Sequence, residues 1–450
     1  MDRSLPINAL DALQDRFAII DLSGEIRLID RHQIASLLSG EITGNAAMYK
    51  KADAELIMKR YLETLPIACK PKQVVIDFWT SPKTKEYKAT AFTPKPTPTT
   101  TLNFWVGPTA APHAGNWLVL RNYLRDVICA GNDSNFEYLI HFMSHMIQKP
   151  EEKPGIMIVL LGGQGTGKGV YFSLLRAIWS RTTLQVADID QVIGKFNALL
   201  EQNYVVCMDE ALFSGDRKSM DRLKSTVTES VIQIEQKYQP SRVIDSVHRF
   251  FAASNHEHFG NVERDDRRFI FFRVSHQYQQ NTTYFREITN AISNPEIIGA
   301  LIYYLLKKDI SNFEVRIKPK SPEHMAQKLL SLNGFDRYWY EVLVTGILNG
   351  GKSGPWETRV EWSGPLFVST IDLVSNYKAF NKNAQRHQTV QNNQIAESLR
   401  RLCPSADSDR QVLKDSSIGS KIRPRGFQLP HIDTARQEFA KVMGGKIEWD

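Results

Sequence analysis

The amino-terminal part of the chain combines short β-forming runs with helical periodicity. Two runs rich in β-branched residues, Phe17–Leu22 and 26–29, flank a turn at Gly24. Apolar residues then recur at helical spacing over 52–64. This pattern predicts a small α+β domain in residues 1–92.

A change in composition and then a long helical pattern follow that domain. The segment 93–101 is rich in proline and threonine, which favours extended, weakly packed backbone and predicts a linker. From 116 to 147 apolar residues recur at helical spacing with one interruption, after which Asp133 and Ser134 are candidate helix caps. We therefore expect a helical lead-in over 102–150.

Residues 151–310 alternate short, wholly apolar runs with helical patterns. This alternation is typical of a mostly parallel sheet that carries helices on both faces, so that its strands are buried on both sides. It predicts an α/β domain that holds the chemistry of the protein. The strands are expected at 156–161, 204–208, 248–254 and 269–272.

The first of these strands runs directly into a glycine-rich sequence, and a helical pattern follows. Strand, glycine loop and helix in this order indicate a P-loop, in which backbone N–H groups face phosphates and Lys168 reaches the β- and γ-phosphates. A glycine-rich surface turn is the alternative interpretation. Gly169 stands where P-loops usually carry a hydroxyl for Mg²⁺, so the metal must depend more on Asp209 and water. The expected phosphate-binding residues are Gly162, Gly163, Gln164, Gly165, Thr166, Gly167, Lys168 and Gly169.

Two further strands end in polar residues suited to nucleotide chemistry. Asp209 and Glu210 follow the second strand, where the first carboxylate would hold Mg²⁺ and the second would polarise the attacking water. Asn255 follows the third strand and would hydrogen-bond the γ-phosphate. Taken singly, these residues are also compatible with a surface acidic pair and a turn amide. Their positions after successive strands favour one common site.

A cluster of alternating charges precedes the fourth strand. Arg267 and Arg268 stand directly before it, where an arginine can reach the γ-phosphate bound by a neighbouring subunit. A solvated salt-bridge cluster is the alternative.

Together these residues resemble the superfamily 3 helicases, in particular the primase-helicase proteins of phages, plasmids and integrated elements. The resemblance implies an AAA+-like hexameric ring that binds ATP and Mg²⁺ between subunits, translocates on single-stranded DNA and unwinds replication forks. By the same resemblance Arg268 best matches the arginine finger, Arg267 comes next and Arg264 is weaker. The motifs are LNFW at 102–105, GGQGTGKG at 162–169, KFNALL at 195–200, MDEALFSGDRK at 208–218, LKSTVTE at 223–229, IEQK at 234–237, AASN at 252–255 and DDRRF at 265–269.

A β-hairpin is expected between the second and third strands of the α/β domain, from 231–238 and 242–247. In similar helicases this hairpin enters the channel of the ring and holds the DNA backbone by a lysine. Lys237 and Tyr238 at its tip suit phosphate contact and base stacking. An ordinary exposed hairpin remains the alternative.

The carboxyl-terminal residues 311–450 are predicted to form a separate helical domain of winged-helix type. Two helical patterns precede a basic turn in which Lys421, Arg423 and Arg425 would contact DNA phosphates. A protein-docking module has much the same pattern, and both interpretations stay open.

Composition narrows the class of protein. The net charge of +7 suits a polyanionic partner, and four separated cysteines without zinc spacing indicate reduced thiols. No signal peptide or long apolar run is present, so we expect a soluble protein in the cytoplasm of a bacterial host, without a membrane partner. The amino-terminal domain is too short for a primase-polymerase fold, so priming would need a separate primase or primase-polymerase.

A second hypothesis from another class remains open. An oligomeric, nucleotide-gated regulatory or defence ATPase that does not unwind DNA would share the nucleotide motifs. Its hairpin would bind a protein instead of DNA.

Overall fold

The computed structural model divides the chain into two compact units. One comprises Met1–Glu257 and Arg267–Lys320, and the other comprises His258–Asp266 and Ser321–Asp450. Among the helices that the structure describes, none combines the length and apolar character needed to span a bilayer. The described residues are 8–22, 24–41, 46–209, 217–235, 241–260, 263, 266–319, 321–348, 360–383, 392–410, 413–414 and 421–449.

The amino-terminal part of the first unit is a four-stranded sheet of order β3-β2-β1-β4 with helices packed against it. The expected strands at 17–22 and 26–29 form an antiparallel pair, closed by Gly24 at φ +91°, which confirms that prediction. Phe17, Met58 and Phe78 are fully buried in the core between sheet and helices. The elements are α1 Ala9–Arg16, β1 Phe17–Leu22, β2 Glu25–Asp30, α2 Arg31–Ser39, β3 Met48–Lys50, α3 Lys51–Glu63, α4 Pro71–Thr80, β4 Glu86–Tyr87, β5 Ala89–Ala91 and β6 Thr101–Asn103.

Two helical segments lead into the central sheet. α5, Leu118–Asn122, continues as one π-helical turn over Tyr123–Ile128, and α6 covers Asp133–Gln148. The predicted caps Asp133 and Ser134 were wrong by one and two residues: Asn132 is the N-cap, and its side chain accepts a hydrogen bond from the backbone N–H of Asn135. The Asn side chain is as good a cap as Asp or Ser.

The core of the first unit is a five-stranded, all-parallel sheet of order β13-β7-β12-β9-β8. All residues of β7, β9 and β12 are buried, which explains why these strands are apolar except for Arg249 and Ser254, the first and last residues of β12. The four predicted strands are confirmed to within one residue. The elements are β7 Met157–Leu161, α7 Lys168–Ile178, β8 Thr183–Val186, α8 Asp190–Ile193, β9 Val205–Met208, α9 Arg217–Thr228, β10 Val231–Ile234, β11 Arg242–Asp245, β12 Arg249–Ser254, β13 Phe269–Arg273, α10 Thr282–Ile292 and α11 Pro295–Lys307, with a 3-10 helix at Ala198–Gln202.

The second unit packs helices on a three-stranded antiparallel sheet of order β16-β20-β17. Gly426 is required in β20, because a Cβ there would lie 2.2 Å from the carbonyl oxygen of Val368 in β16. Trp339, Leu399 and Phe439 are fully buried in the core. The elements are α12 Pro322–Leu330, α13 Gly334–Thr345, β14 Ile347–Leu348, β15 Val360–Glu361, β16 Leu366–Ser369, α14 Thr370–Asn383, α15 Asn392–Leu402, β17 Asp407–Arg410, β18 Leu413–Lys414, β19 Lys421–Ile422, β20 Arg425–Leu429 and α16 Ile432–Met443.

The predicted hairpin is confirmed as the antiparallel pair β10–β11, and a partly buried lysine holds both of its roots. The Lys153 ammonium donates to the Ser246 hydroxyl at 2.5 Å and to the Thr226 carbonyl at 3.3 Å. Thr226 precedes β10 and Ser246 follows β11. The Ser246 hydroxyl also lies 2.9 Å from Nδ1 of His248, whose Nε2 lies 2.9 Å from the Leu200 carbonyl. Since that carbonyl needs a donor, His248 carries its proton on Nε2, and Ser246 donates to Nδ1.

The charge of Lys153 is costly in this position. Burial, and secondarily the positive charge of Arg249, lowers the pKa of Lys153 to about 7. The face of the Phe250 ring, 4.9 Å from the ammonium, offsets part of the cost. Burial also lowers the pKa of His248 to about 3, which keeps this imidazole neutral beside the lysine.

We predict that Lys153 makes the stability of the protein rise with pH above neutrality. From about pH 7 to about pH 10, the unfolded chain binds one more proton at this lysine than the folded protein does. The free energy of unfolding therefore rises by up to about 1.4 kcal/mol per pH unit in that window. Below the window, Lys153 adds no dependence on pH. Urea unfolding from pH 6 to 9.5 measures this rise in the free energy of unfolding, and Lys153→Met should not show it. The exposed Lys307→Met serves as control, and an equal slope in all three proteins contradicts the prediction.

Candidate functional site

The carboxyl ends of the central strands bring the predicted site residues to one edge of the sheet. In the parallel register Leu161 of β7 pairs with Ser254 of β12, and Met208 of β9 pairs with Ala252 two residues earlier. The residues that follow these strands are Gly162, Asn255 and Asp209. Sequence-distant groups therefore converge because parallel strands end together.

The glycine-rich loop, residues 162–167, takes a backbone conformation that requires glycine at two positions. Gly165 has φ +76° and Gly167 has φ +102°. A Cβ on Gly167 would also lie 2.6 Å from Cε1 of Phe285. α7 begins at the next residue and has no side-chain cap, so the loop delivers the chain directly into a helix amino terminus.

Hydrogen bonds from several segments hold the carbonyl groups of the loop. Gln279 donates through Nε2 to the Gln164 carbonyl at 2.9 Å, and the backbone N–H of Gln280 donates to the Gly165 carbonyl at 3.0 Å. The hydroxyl of Tyr123 donates to the Gly167 carbonyl at 2.9 Å. Burial raises the pKa of Tyr123, so this hydroxyl stays protonated and remains a donor. A planar peptide whose carbonyl is held on one side turns its N–H to the other.

Lys168 joins the loop to the neighbouring strand. Its ammonium donates to the carbonyls of Gly162 at 2.5 Å and Gly163 at 2.7 Å, and to Oδ1 of Asn255 at 2.8 Å. The lysine is only 7% exposed, while Asn255 is exposed. The lysine and the asparagine, predicted separately from two strand ends, are in direct contact.

These groups share a cavity of about 410 Å³. Its volume and mixed lining suit a small polar ligand. The residues around it are Gln164, Gly165, Gly167, Lys168, Gly169, Val170, Ser173, Asp209, Asn255 and Phe285.

Asp209 provides the carboxylate of this cavity. Its backbone N–H donates to the Val186 carbonyl at 2.8 Å, and its Oδ2 accepts from Nε2 of Gln185 at 3.2 Å. Within the described ranges, no three His, Cys, Asp or Glu side chains cluster to hold a metal ion. One carboxylate is nevertheless compatible with Mg²⁺, which commonly takes its other ligands from phosphates and water. Glu210 lies outside the described residues.

Gly169 leaves open space where the hydroxyl of a Ser or Thr usually stands. A Cβ on Gly169 would meet no atom within 4 Å. The missing hydroxyl is therefore not explained by crowding. One turn later, Ser173 lines the cavity, and its hydroxyl donates to the Gly169 carbonyl at 3.1 Å.

Arg267 and Arg268 lie at the opposite edge of the sheet from the cavity. The carbonyl of Arg268 accepts from the N–H of Met157, the first residue of β7, whereas the glycine-rich loop follows the last. Five residues of parallel strand span roughly 16 Å. The structure therefore does not bring these arginines to the cavity of their own subunit. Arg264, Lys237 and Tyr238 lie outside the described residues.

An ion pair at the carboxyl edge was not foreseen from the sequence. Arg273, which pairs in register with Leu161, donates to both carboxylate oxygens of Glu257, at 3.0 and 2.8 Å. The hydrogen bond from Arg273 lowers the pKa of Glu257. The only available hint was an arginine that ends an apolar run, which is also common at ordinary strand ends.

Comparison with known proteins shows sequence similarity to a phage protein. The sequence model of DUF5906, a family of unknown function, matches residues 160–268. The DNA primase-polymerase of Nitratiruptor phage NrS-1 is 26% identical over 154 residues, which are 32% of this chain and 21% of that protein. The chain thus aligns with about a fifth of the length of that relative.

Solved structures extend the likeness to nearly the whole chain. The apo structure of the NrS-1 C-terminal region has a TM-score of 0.61 at 15% identity, over 95% of this chain and all of that one. The A form of that apo region gives 0.61 at 14% identity with the same coverage. At such identities the likeness shows a shared mixed α/β fold with a parallel sheet.

We predict that alanine is tolerated at Gly169 and not at Gly167. Gly167→Ala places a methyl group against Phe285 and forces a positive φ, which costs roughly 1–3 kcal/mol for the backbone alone. Gly169→Ala enters open space in α7 and gains up to about 1 kcal/mol of helix propensity. Urea unfolding measures both. In a double-mutant cycle with Phe285→Ala, the coupling energy should equal only the steric part. Equal stability of the two alanine variants would contradict the prediction.

Proposed function

We propose that this protein is an ATP-driven ring helicase of the superfamily 3 type. It translocates on single-stranded DNA and unwinds duplex DNA during replication of a phage, plasmid or other mobile element, in the cytoplasm of the bacterial host. The observation that carries the proposal is the contact of Lys168 with Asn255 in a cavity that Asp209 and the glycine-rich loop also line.

The lining of the cavity supports a role in triphosphate hydrolysis, in which we assign each predicted residue one step. Loop N–H groups and Lys168 bind the β- and γ-phosphates, as in a P-loop ATPase. Asp209 would hold Mg²⁺, which would neutralise charge on the phosphate oxygens. Glu210 accepts a proton from water as the water oxygen bonds the γ-phosphorus and the bond to the ADP oxygen breaks. Asn255 orients that water.

The placement of Arg267 and Arg268 favours a site completed by a second copy of the chain. Both arginines stand roughly a strand length away from their own cavity. A closed ring joins two different surfaces of identical subunits, and we propose that this edge of one copy faces the cavity of its neighbour. We propose a homo-oligomer, with six subunits as in the helicases it resembles.

The order of elements in the second unit supports a winged-helix domain. Helix α13 and strand β16 precede helices α14 and α15, and strands β17 and β20 follow. Arg423 and Arg425 are exposed beside β20, where a wing contacts phosphates. The side chain of Lys421 is not among the side chains that the structure describes. We propose that this wing contacts the DNA of the replication fork, and that Lys237 and Tyr238 of the hairpin make a second contact.

The phage relative supports the replication context. The name DNA primase-polymerase is that of the relative. For this chain, the similarity supports a role in phage DNA replication. We propose that primers come from a separate primase or primase-polymerase.

Strand displacement on 3′-tailed and 5′-tailed duplexes tests the helicase. We predict that one tail supports ATP-dependent unwinding, and that Lys168→Ala lowers both ATP turnover and unwinding by roughly 10²-fold or more. The exposed Lys307→Ala is the matched control and should behave as wild type. Lys237→Ala should abolish unwinding while ATP turnover continues. ATP turnover by the wild type without displacement on either tail would instead indicate the regulatory or defence ATPase.

Mixing two inactive variants tests whether the arginines act between subunits. Arg267→Ala/Arg268→Ala should lose roughly 10³-fold or more in ATP turnover, and Lys168→Ala should lose roughly 10²-fold or more. In a mixture of equal amounts, about a quarter of the interfaces join an intact cavity to intact arginines, so turnover should return to about that fraction. A mixture as inactive as its components, despite proven co-assembly, would show that the arginines do not act on the neighbouring site.

A further inference from the structure

The chain leaves the first unit shortly after one of the strands that end at the candidate site. Asn255 follows β12 and contacts Lys168 in the cavity, and the second unit begins at His258. Asn255 is therefore three residues away from a segment that belongs to the other unit. We call residues 258–260 the docking segment.

The end of helix α12 holds the docking segment within the second unit. Gln327 is fully buried, and its Oε1 accepts a hydrogen bond from the backbone N–H of Phe259 at 3.0 Å. Phe259 is itself fully buried. The hydroxyl of Ser331, the residue after α12, lies 3.0 Å from the Gly260 carbonyl and 3.2 Å from Nε2 of His258. Three consecutive residues are thus bonded to the end of one helix.

The burial of Gln327 distinguishes this contact from an ordinary surface turn. Gln327 is the buried residue of α12, whose apolar side chains are only partly buried or exposed. A buried amide costs free energy unless it is hydrogen-bonded, so helices usually bury apolar residues instead. Here the amide oxygen satisfies the N–H of a segment that lies between β12 and β13 in the sequence. This face of α12 is therefore suited to holding that segment.

The ion pair between Asn255 and the docking segment is a weaker anchor. Glu257 accepts two hydrogen bonds from Arg273, but the side chain of Glu257 is 67% exposed and that of Arg273 is 35% exposed. Exposed ion pairs contribute little to fixing a chain, because water competes for both charges. The buried hydrogen bond to Gln327 is therefore the stronger of the two anchors that follow Asn255.

We propose that Gln327 is a positioning residue for ATP hydrolysis. It holds the docking segment, and the chain that joins this segment to β12 then sets the Asn255 amide against Lys168 and the γ-phosphate. The inference rests on the proposed function and extends it, because it gives the second unit a part in hydrolysis besides its proposed contact with DNA.

ATP turnover by the full chain, with kcat and KM measured separately, tests the proposal. Gln327→Met keeps the length of the side chain and removes the acceptor oxygen for the Phe259 N–H. Its kcat should fall roughly 10-fold, because a small error in the placement of Asn255 is costly, whereas KM should stay within about two-fold of wild type. Gln327→Glu keeps an acceptor oxygen whether it is ionised or neutral, so its kcat should lie within about three-fold of wild type.

A double-mutant cycle shows whether Gln327 acts through Asn255. Asn255→Ala should lower kcat roughly 10²-fold. Adding Gln327→Met should lower kcat by less than about two-fold more, because the side chain that Gln327 positions is already absent. Losses that multiply would show that Gln327 supports turnover by another route, and they would overturn the proposal.

Leu399→Val is the matched control for lost stability in the second unit. It removes one methylene group from a fully buried residue of α15, as in a conservative core truncation. Its kcat should equal that of wild type at a temperature below the unfolding transition of every variant. If Gln327→Met loses no more kcat than Leu399→Val does, the role of Gln327 is refuted.

The same assays keep this proposal distinct from the proposed function. If the wild type hydrolyses ATP and Gln327→Met matches it in kcat, only the role of Gln327 fails. If the wild type does not hydrolyse ATP, the proposed function fails, and the role of Gln327 fails with it.

Discussion

The conformation of the glycine-rich loop depends on the hydrogen bonds that its carbonyl groups accept. The carbonyls of residues 162–165 and 167 all accept hydrogen bonds, from Lys168, Thr166, Gln279, Gln280 and Tyr123. With these acceptors satisfied, the planar peptides between them are held with their N–H groups turned the other way. An anion site made in this way is organised before any ligand arrives and loses little entropy on binding. The positive φ angles of Gly165 and Gly167 follow from the same arrangement.

Strand β7 connects this loop to the hairpin. Its carboxyl end continues into the glycine-rich loop, and the segment before its amino end carries Lys153, which contacts the residues before β10 and after β11. β7 is buried between β12 and β13 and bonded to both along its length. A fully paired central strand cannot stretch or slip in register without breaking its ladder, so β7 keeps the loop and Lys153 at a fixed separation.

The sequence was sufficient for the parts of the fold that are encoded locally. Strands buried on both faces need apolar interiors, so β7, β9, β12 and β13 were visible as apolar runs with polar residues at most at their ends. Parallel pairing then required their ends to meet. Contacts from distant segments had no such signature. No local sequence pattern marks Gln279 as a residue that contacts the glycine-rich loop. Tyr123 lies in a π-helical turn within a pattern that predicts regular helix. Asn132 was missed because three adjacent residues could all cap a helix, and the choice depends on backbone angles.

One subunit holds two incomplete halves of the proposed catalytic site. Among the described residues that line its cavity, Lys168 is the one cation, and it is shared among two carbonyls and an amide. The paired arginines stand at the far edge of the sheet. The charge that develops on a transferring phosphoryl group is spread over three oxygens and is poorly served by a single lysine. Of the described residues, Arg273 ends the strand next to β7 at the same edge of the sheet, and it is held by both oxygens of Glu257. The arrangement therefore favours a site in which assembly supplies the missing charge, so that hydrolysis depends on the neighbouring subunit and can be timed by its position.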